Sequence, residues 1–258
     1  MSKNLIYIVA ISDNSTKVDN HDYAEYSIKN WKEYCKRNDI DFLLIDKNLD
    51  DRFNKPIWNK EMIYEFGKEY DKIGIVDSDT LVDLDSPNIF ELFDEDDFCG
   101  VSDLCDLNWL FTSISDRQKF FPNVEMDIFK YINAGVLFFG NKYLHIFQKL
   151  LNLYLTRKEE IEKIDGGGKE QTLLNFILQE EKVPMKLLDP CWNLLSIHKK
   201  NMFVQNWQIH PEFKGSIFRD NPDSYPHFMK YAYIWHFTGF PVEDRAYYMS
   251  IVWDLIKS

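Results

Sequence analysis

Two aspartates one residue apart, Asp77 and Asp79, close the apolar run Ile73-Gly74-Ile75-Val76. Carboxylates converging at the end of a buried strand repel each other, and the usual remedies are a bound cation or a raised pKa. Their oxygens suit Mg2+ or Mn2+, and one added imidazole leans such a site toward Mn2+. Spelling alone says little. With 26 Asp among 258 residues, chance gives about 2.6 Asp-x-Asp triplets, and four occur. Asp39/Asp41, Asp83/Asp85 and Asp94/Asp96 stand in polar surroundings and read as solvated acids or turn residues. Position singles out Asp77/Asp79, because open α/β sheets gather ligands at the carboxyl ends of their strands. The competing reading of this pair is a cap on the following turn.

An imidazole partner is therefore worth seeking among the six histidines. His21, His145, His198, His210 and His227 sit beside polar or Pro-containing segments and carry no further clue. His236 ends the aromatic run Tyr231-Ala232-Tyr233-Ile234-Trp235 and opens His236-Phe237-Thr238-Gly239, a strand-to-loop break whose glycine permits close backbone approach. Taken alone, a satisfied core histidine is the better reading.

The elements that must position these groups follow from the apolar pattern. Leu5 to Ile11 is a continuous apolar run of strand length, as expected of a strand covered on both faces. Ala24, Ile28, Trp31 and Cys35 then fall at helical spacing, Phe42 to Ile45 reads as a second strand, and a helix around Met62, Ile63 and Phe66 leads into the strand that stops at Asp77. Phe98 to Val101 and Tyr131 to Phe139 are further strands with a polar stretch between them. Leu144, Phe147, Leu151 and Leu155 mark a helix, and Gly166-Gly167-Gly168 a turn before a short helix with Leu173, Leu174, Ile177 and Leu178. Past Pro190 the pattern loosens into aromatic, Pro-containing segments and a terminal helix. This alternation predicts an α/β fold with a mostly parallel sheet.

Composition bounds the function. Aromatics at 16% and hydrophobic residues at 45% supply ample core, and the net charge of −12 disfavours nucleic acid. No apolar run approaches the ~20 residues that cross a bilayer, and the first residues fit no secretory leader. Cys35, Cys99, Cys105 and Cys191 lack zinc-site spacing and read as reduced thiols, so a cytoplasmic location is expected. Oligomeric state is left open.

Four blocks occur in order: the strand ending in Asp77-Ser78-Asp79, then Asn133-Ala134-Gly135-Val136-Leu137-Phe138-Phe139, then Glu170-Gln171 with Leu174-Asn175, then His236-Phe237-Thr238-Gly239. Together they resemble glycosyltransferase family eight, which includes glycogenin and bacterial lipopolysaccharide galactosyltransferases. The resemblance covers nearly the whole chain. It implies a GT-A fold: one domain over 1–258, with a nucleotide-sugar-binding core to about 190 and an irregular acceptor-side lobe over about 191–258. It further implies a retaining hexosyl transfer from a nucleoside diphosphate sugar, UDP foremost, to a hydroxyl of a carbohydrate or other acceptor, with Mn2+ or Mg2+ as cofactor.

Residue by residue, the resemblance makes Asp77, Asp79 and His236 metal ligands, Asp79 also counting as catalytic. It places Ala10, Ser12, Asp13 and Asn14 against base and ribose, and Lys60, Ser78 and Gly239 against the donor. Asn133 and Ala134 line the donor-sugar pocket, Glu170 and Gln171 reach the sugar or the reacting face, and Gln171 is the amide facing the anomeric carbon. Two departures stand out. Glu170 replaces the more usual Asp, and Phe240-Pro241-Val242 stands where the family has Lys-Pro-Trp, leaving Arg245 to supply the charge.

Two rivals remain at this level. Val76-Asp77-Ser78-Asp79-Thr80 also resembles the haloacid-dehalogenase phosphatase motif, with Asp77 as nucleophile, although Leu81 and the distance from the N-terminus fit it poorly. A non-catalytic nucleotide-sugar or carbohydrate-binding module is the other. Trp192, Trp207, Tyr225, Tyr231, Tyr233 and Trp235 suit either acceptor stacking or ordinary packing.

Overall fold

The computed structural model describes residues 2–11, 22–104, 106–195, 232–240 and 242–257. Nine strands are described: β1 (Asn4–Val9), β2 (Asp41–Ile45), β3 (Lys72–Asp77), β4 (Thr80–Val82), β5 (Phe98–Ser102), β6 (Ile132–Gly140), β7 (Met185–Leu187), β8 (Leu194–Leu195) and β9 (Ile234–His236). The helices are α1 (Asp22–Arg37), α2 (Ile63–Phe66), α3 (Leu107–Arg117), α4 (Leu144–Glu162), α5 (Lys169–Glu180) and α6 (Val242–Lys257).

Six strands form the main sheet in the order β2-β1-β3-β6-β5-β7. β1 runs parallel to β2 and β3, and β5 parallel to β7, while β6 lies antiparallel between β3 and β5. The expected mainly parallel sheet is therefore present, with one reversed strand. Both faces of the inner strands β1, β3, β6 and β5 are buried, and this is why these strands read as continuous apolar runs. Leu5, Tyr7, Ile73, Ile75, Leu137 and Phe139 pack against Phe147, Leu150 and Tyr154 of α4 and Leu173, Phe176 and Ile177 of α5. Ile6, Ile8, Val76 and Phe138 face Trp31, Tyr34 and Cys35 of α1.

β4, β9 and β8 form a second sheet in the order β4-β9-β8. Its antiparallel register pairs Thr80 with His236, Leu81 with Trp235 and Val82 with Ile234. Asn30 of α1 clamps this sheet, its amide donating to the Val82 carbonyl at 2.9 Å and accepting from the Val82 N–H at 2.6 Å. Trp31 Nε1 donates to Thr80 Oγ1 at 2.9 Å. α6 covers the same region, where Met249 and Val252 join Tyr23, Leu81 and Phe237 in a third apolar cluster. The helix expected around residues 62–66 is broken up. Pro56 starts a run of 3-10 turns to Met62, and only Ile63–Phe66 is α-helical. The polar stretch before β6 holds α3, whose Asp106 side chain caps it by accepting from the Trp109 N–H.

Candidate active site

Asp77 is the last residue of β3, and Asp79 is the second residue of the turn that joins β3 to β4. The Phe237 N–H donates to the Asp79 carbonyl at 2.9 Å, drawing the end of β9 against this turn. His236 consequently arrives beside both acids. One ligand atom from each of Asp77, Asp79 and His236 lies within 4.8 Å of the others. His236 Nε2 is 3.3 Å from Asp79 Oδ1 and 3.8 Å from Asp77 Oδ2. Such closeness requires Gly135 on β6, because a Cβ there would come within 2.3 Å of His236 Cε1 and 2.6 Å of Asp77 Oδ2.

Each acid spends its other oxygen on a cation. Lys60 Nζ lies 2.5 Å from Asp77 Oδ1 and 3.6 Å from Glu170 Oε1. Arg245 Nη1 lies 3.0 Å from Asp79 Oδ2, with its Nη2 donating to the Phe240 carbonyl and its guanidinium over the Tyr23 ring. The inner oxygens, Asp77 Oδ2 and Asp79 Oδ1, are left facing the imidazole. Burial raises the Asp77 pKa and Lys60 opposes the rise, whereas at Asp79 burial is outweighed by His236 and Arg245 and the acid is held at about 2. Burial also works against the charge on Lys60, but Asp77 and Glu170 more than offset it and keep the amine above its ordinary value. Glu61 next door is buried with Oε2 unpartnered, and burial together with Glu170 pushes its pKa well up.

A fully paired amide network backs this cluster. Asn133 Oδ1 accepts from the Gly135 N–H at 2.9 Å and from Asn193 Nδ2 at 3.0 Å. Asn133 Nδ2 donates to Asp103 Oδ2 at 3.0 Å and to Gln171 Oε1 at 3.1 Å. Gln171 Oε1 also accepts from the Ala134 N–H, and Gln171 Nε2 donates to Asp103 Oδ2 at 2.9 Å and to the Tyr131 hydroxyl at 3.3 Å. Asn193 Oδ1 sits 3.0 Å from His236 Nδ1. Every donor and acceptor of the Asn133 and Gln171 amides is thus engaged within the protein.

The structure brings together Asp77, Asp79, His236, Lys60, Glu170, Gln171, Asn133 and Ala134. Ala10 lies just past β1, its N–H bonded to the Ile45 carbonyl, Ser78 is half-buried in the turn between the acids, and Gly239 is exposed at φ 77°. Ser12, Asp13 and Asn14 lie outside the described residues, as do Trp207, Tyr225 and Tyr231. Trp192 is packed in the second cluster with Tyr233 against it, as ordinary core. Sequence reasoning missed Asp103 and Asn193. Asp103 carries the signal that found Asp77, a carboxylate at the carboxyl end of a buried strand, and Asn193 lies in a 3-10 turn with no such mark.

The residues fit a divalent ion: two carboxylate oxygens and an imidazole nitrogen converge, and Gly135 keeps their approach free of side chain. Among the described residues no helix is long and apolar enough to cross a membrane. Cys35, Cys99 and Cys191 are free thiols.

No protein-family model and no curated protein sequence matches the chain. Solved structures do. A glycosyltransferase involved in glycosylation of the major capsid of PBCV-1 aligns with TM-score 0.60 at 15% identity, covering 96% of this chain and 99% of that one. The galactosyltransferase LgtC, in complex with donor and acceptor sugar analogues, aligns with TM-score 0.54 at 14% identity and 95% of each chain. The apo-form glycosyltransferase GlyE in Streptococcus pneumoniae aligns with TM-score 0.52 at 17% identity, covering 99% of this chain and 62% of that one. These likenesses show the GT-A glycosyltransferase fold.

Proposed function

We propose that the chain, as one GT-A domain, is a metal-dependent, retaining glycosyltransferase that moves a hexose from a nucleoside diphosphate sugar, UDP foremost, to a hydroxyl of a carbohydrate or other acceptor. The observation that carries this is the convergence of Asp77, Asp79 and His236 at the strand ends of a GT-A sheet. Charge supports it. Lys60 and Arg245 offset Asp77 and Asp79, and with Glu170 also on Lys60 a divalent ion added to the cluster leaves a net positive charge, the sign that a diphosphate diester needs. A bound Mn2+ or Mg2+ supplies Lewis-acid stabilisation of the charge that builds on the departing diphosphate.

The protein's own groups do the rest. Asp77, Asp79 and His236 hold the ion, and Ala10, Ser12, Asp13 and Asn14 meet base and ribose. Lys60 and Arg245 lie on the outer sides of the acids, within reach of donor oxygens, and Ser78 and Gly239 contribute backbone to the donor. Asn133, Ala134 and Glu170 line the sugar. Gln171 faces the anomeric carbon with both carbonyl lone pairs already accepting. This favours a reaction in which the bond from the anomeric carbon to the diphosphate oxygen breaks as the acceptor oxygen bonds from the same face, the hydroxyl proton passing to the departing diphosphate, and the amide acts as a fixed wall.

The test is nucleotide release from a panel of nucleotide sugars, with and without Mn2+. Removing Asp79 as Asp79→Ala is expected to lower kcat/KM by about a hundredfold or more, the loss of about 3 kcal/mol of charge stabilisation. Transfer by that variant near the wild-type rate, or undiminished transfer by the wild type in chelator, rejects the proposal.

A further inference from the structure

The hydrogen-bond pattern leaves no freedom in the orientation of three consecutive groups. The Gly135 N–H can only donate, so the Asn133 oxygen must face it, at 2.9 Å. The same oxygen meets Asn193 at 3.0 Å, so Asn193 must present its NH2 there and turn its oxygen the other way. That oxygen lies 3.0 Å from His236 Nδ1. The opposite orientation of Asn133 would aim its NH2 at the Gly135 N–H and its oxygen at the Asp103 carboxylate, setting like against like at both ends.

We infer that Asn193 is the positioning residue of this site: it keeps a proton on His236 Nδ1 and so leaves the Nε2 lone pair aimed at Asp77 and Asp79. Without it, Asp79 Oδ1 at 3.3 Å and Asp77 Oδ2 at 3.8 Å pull the proton to Nε2, where it blocks a ligand atom. Among the described residues, Asn193 faces one ring nitrogen, the two acids face the other, and Gly135 lies against the Cε1 edge between them. The backbone of β6 thereby sets the proton on a side chain of β9 through two amides, in a buried chain with no exposed member: Asn133 is 5% exposed, Asn193 0% and His236 3%. For the metal this rests on the proposed function; the proton position does not.

The experiment is a long-range 1H–15N correlation spectrum of metal-free, 15N-histidine-labelled protein in alkaline buffer, with His236 assigned by its loss in His236→Gln. The expected spectrum places the proton on Nδ1. Asn193→Ala is expected to move the proton to Nε2 and to weaken Mn2+ binding by about 10–100-fold, read by calorimetry. Asn193→Asp loses the donor to Asn133 Oδ1 but keeps an acceptor toward Nδ1, and is expected to restore the Nδ1–H form. A wild-type His236 protonated on Nε2 overturns the inference and needs no folded variant to do so. An Asn193→Ala protein with Nδ1–H and Mn2+ affinity within twofold of wild type overturns it as well. An Nδ1–H wild type that binds no divalent ion leaves Asn193 in this role and removes the metal-dependent transferase reading.

Discussion

Gly135 shows how much a missing side chain can hold in place. A methyl group there would overlap His236 and Asp77, so Gly135→Ala is expected to cost about 1–3 kcal/mol in denaturant titration. The same variant is expected to lose Mn2+ binding by calorimetry while the circular dichroism of the sheet persists. Glu61 offers a pH test. Its folded-state pKa is raised, so its contribution to stability is full below the ordinary glutamate value and is lost as pH climbs, the unfolded chain releasing the proton first. Glu61→Gln is therefore expected to match wild type in acid and to gain on it above about pH 4.5, by at most about 1.4 kcal/mol per pH unit. Equal melting profiles at neutral pH sink that account. At this scale the meeting of Asp77, Asp79 and His236 was legible, because strand ends flag their acids, a glycine three residues on marks His236, and the family resemblance joined the three. Asn193 was not, since what distinguishes it is a hydrogen bond to a residue 43 positions away.

β4 is the element on which the site turns. Three residues are too few for a periodicity, so nothing in the apolar pattern marks Thr80–Val82, although it is the strand that receives β9. What holds it is Asn30, whose two bonds to Val82 are buried. Asn30→Ala strands a backbone N–H and carbonyl together, and a loss of about 2–4 kcal/mol is expected in chemical unfolding. Mn2+ affinity is expected to fall with it; a variant as stable as wild type would show that α1 does not anchor this sheet. The long strands and α1, α4 and α5 were readable because burial on both faces leaves continuous apolar runs and one-sided burial leaves a stripe. α3 was not, its exposed Leu107 and Phe111 obscuring any apolar face.

Across the molecule, the alternating pattern sufficed for the sheet but not for its reversed member. β6 is as apolar as its parallel neighbours, all nine residues buried, and direction leaves no trace in composition. A nucleoside diphosphate sugar at about 100 times its Kd is expected to add about 2.7 kcal/mol, or about 5–10 °C in Tm, and only with Mn2+ present. An equal shift in chelator would separate donor binding from the ion. The pairing of Thr80 with His236 has a further consequence. Side chains along a strand alternate between faces, so sliding β9 by a single position against β4 would swing Trp235 toward the acids and turn the imidazole away. Assembly of the Asp77, Asp79 and His236 cluster is thus all-or-nothing. No gradual drift of that ladder can weaken it by degrees, and whatever fixes the alignment of two three-residue strands decides between a competent molecule and an inert one.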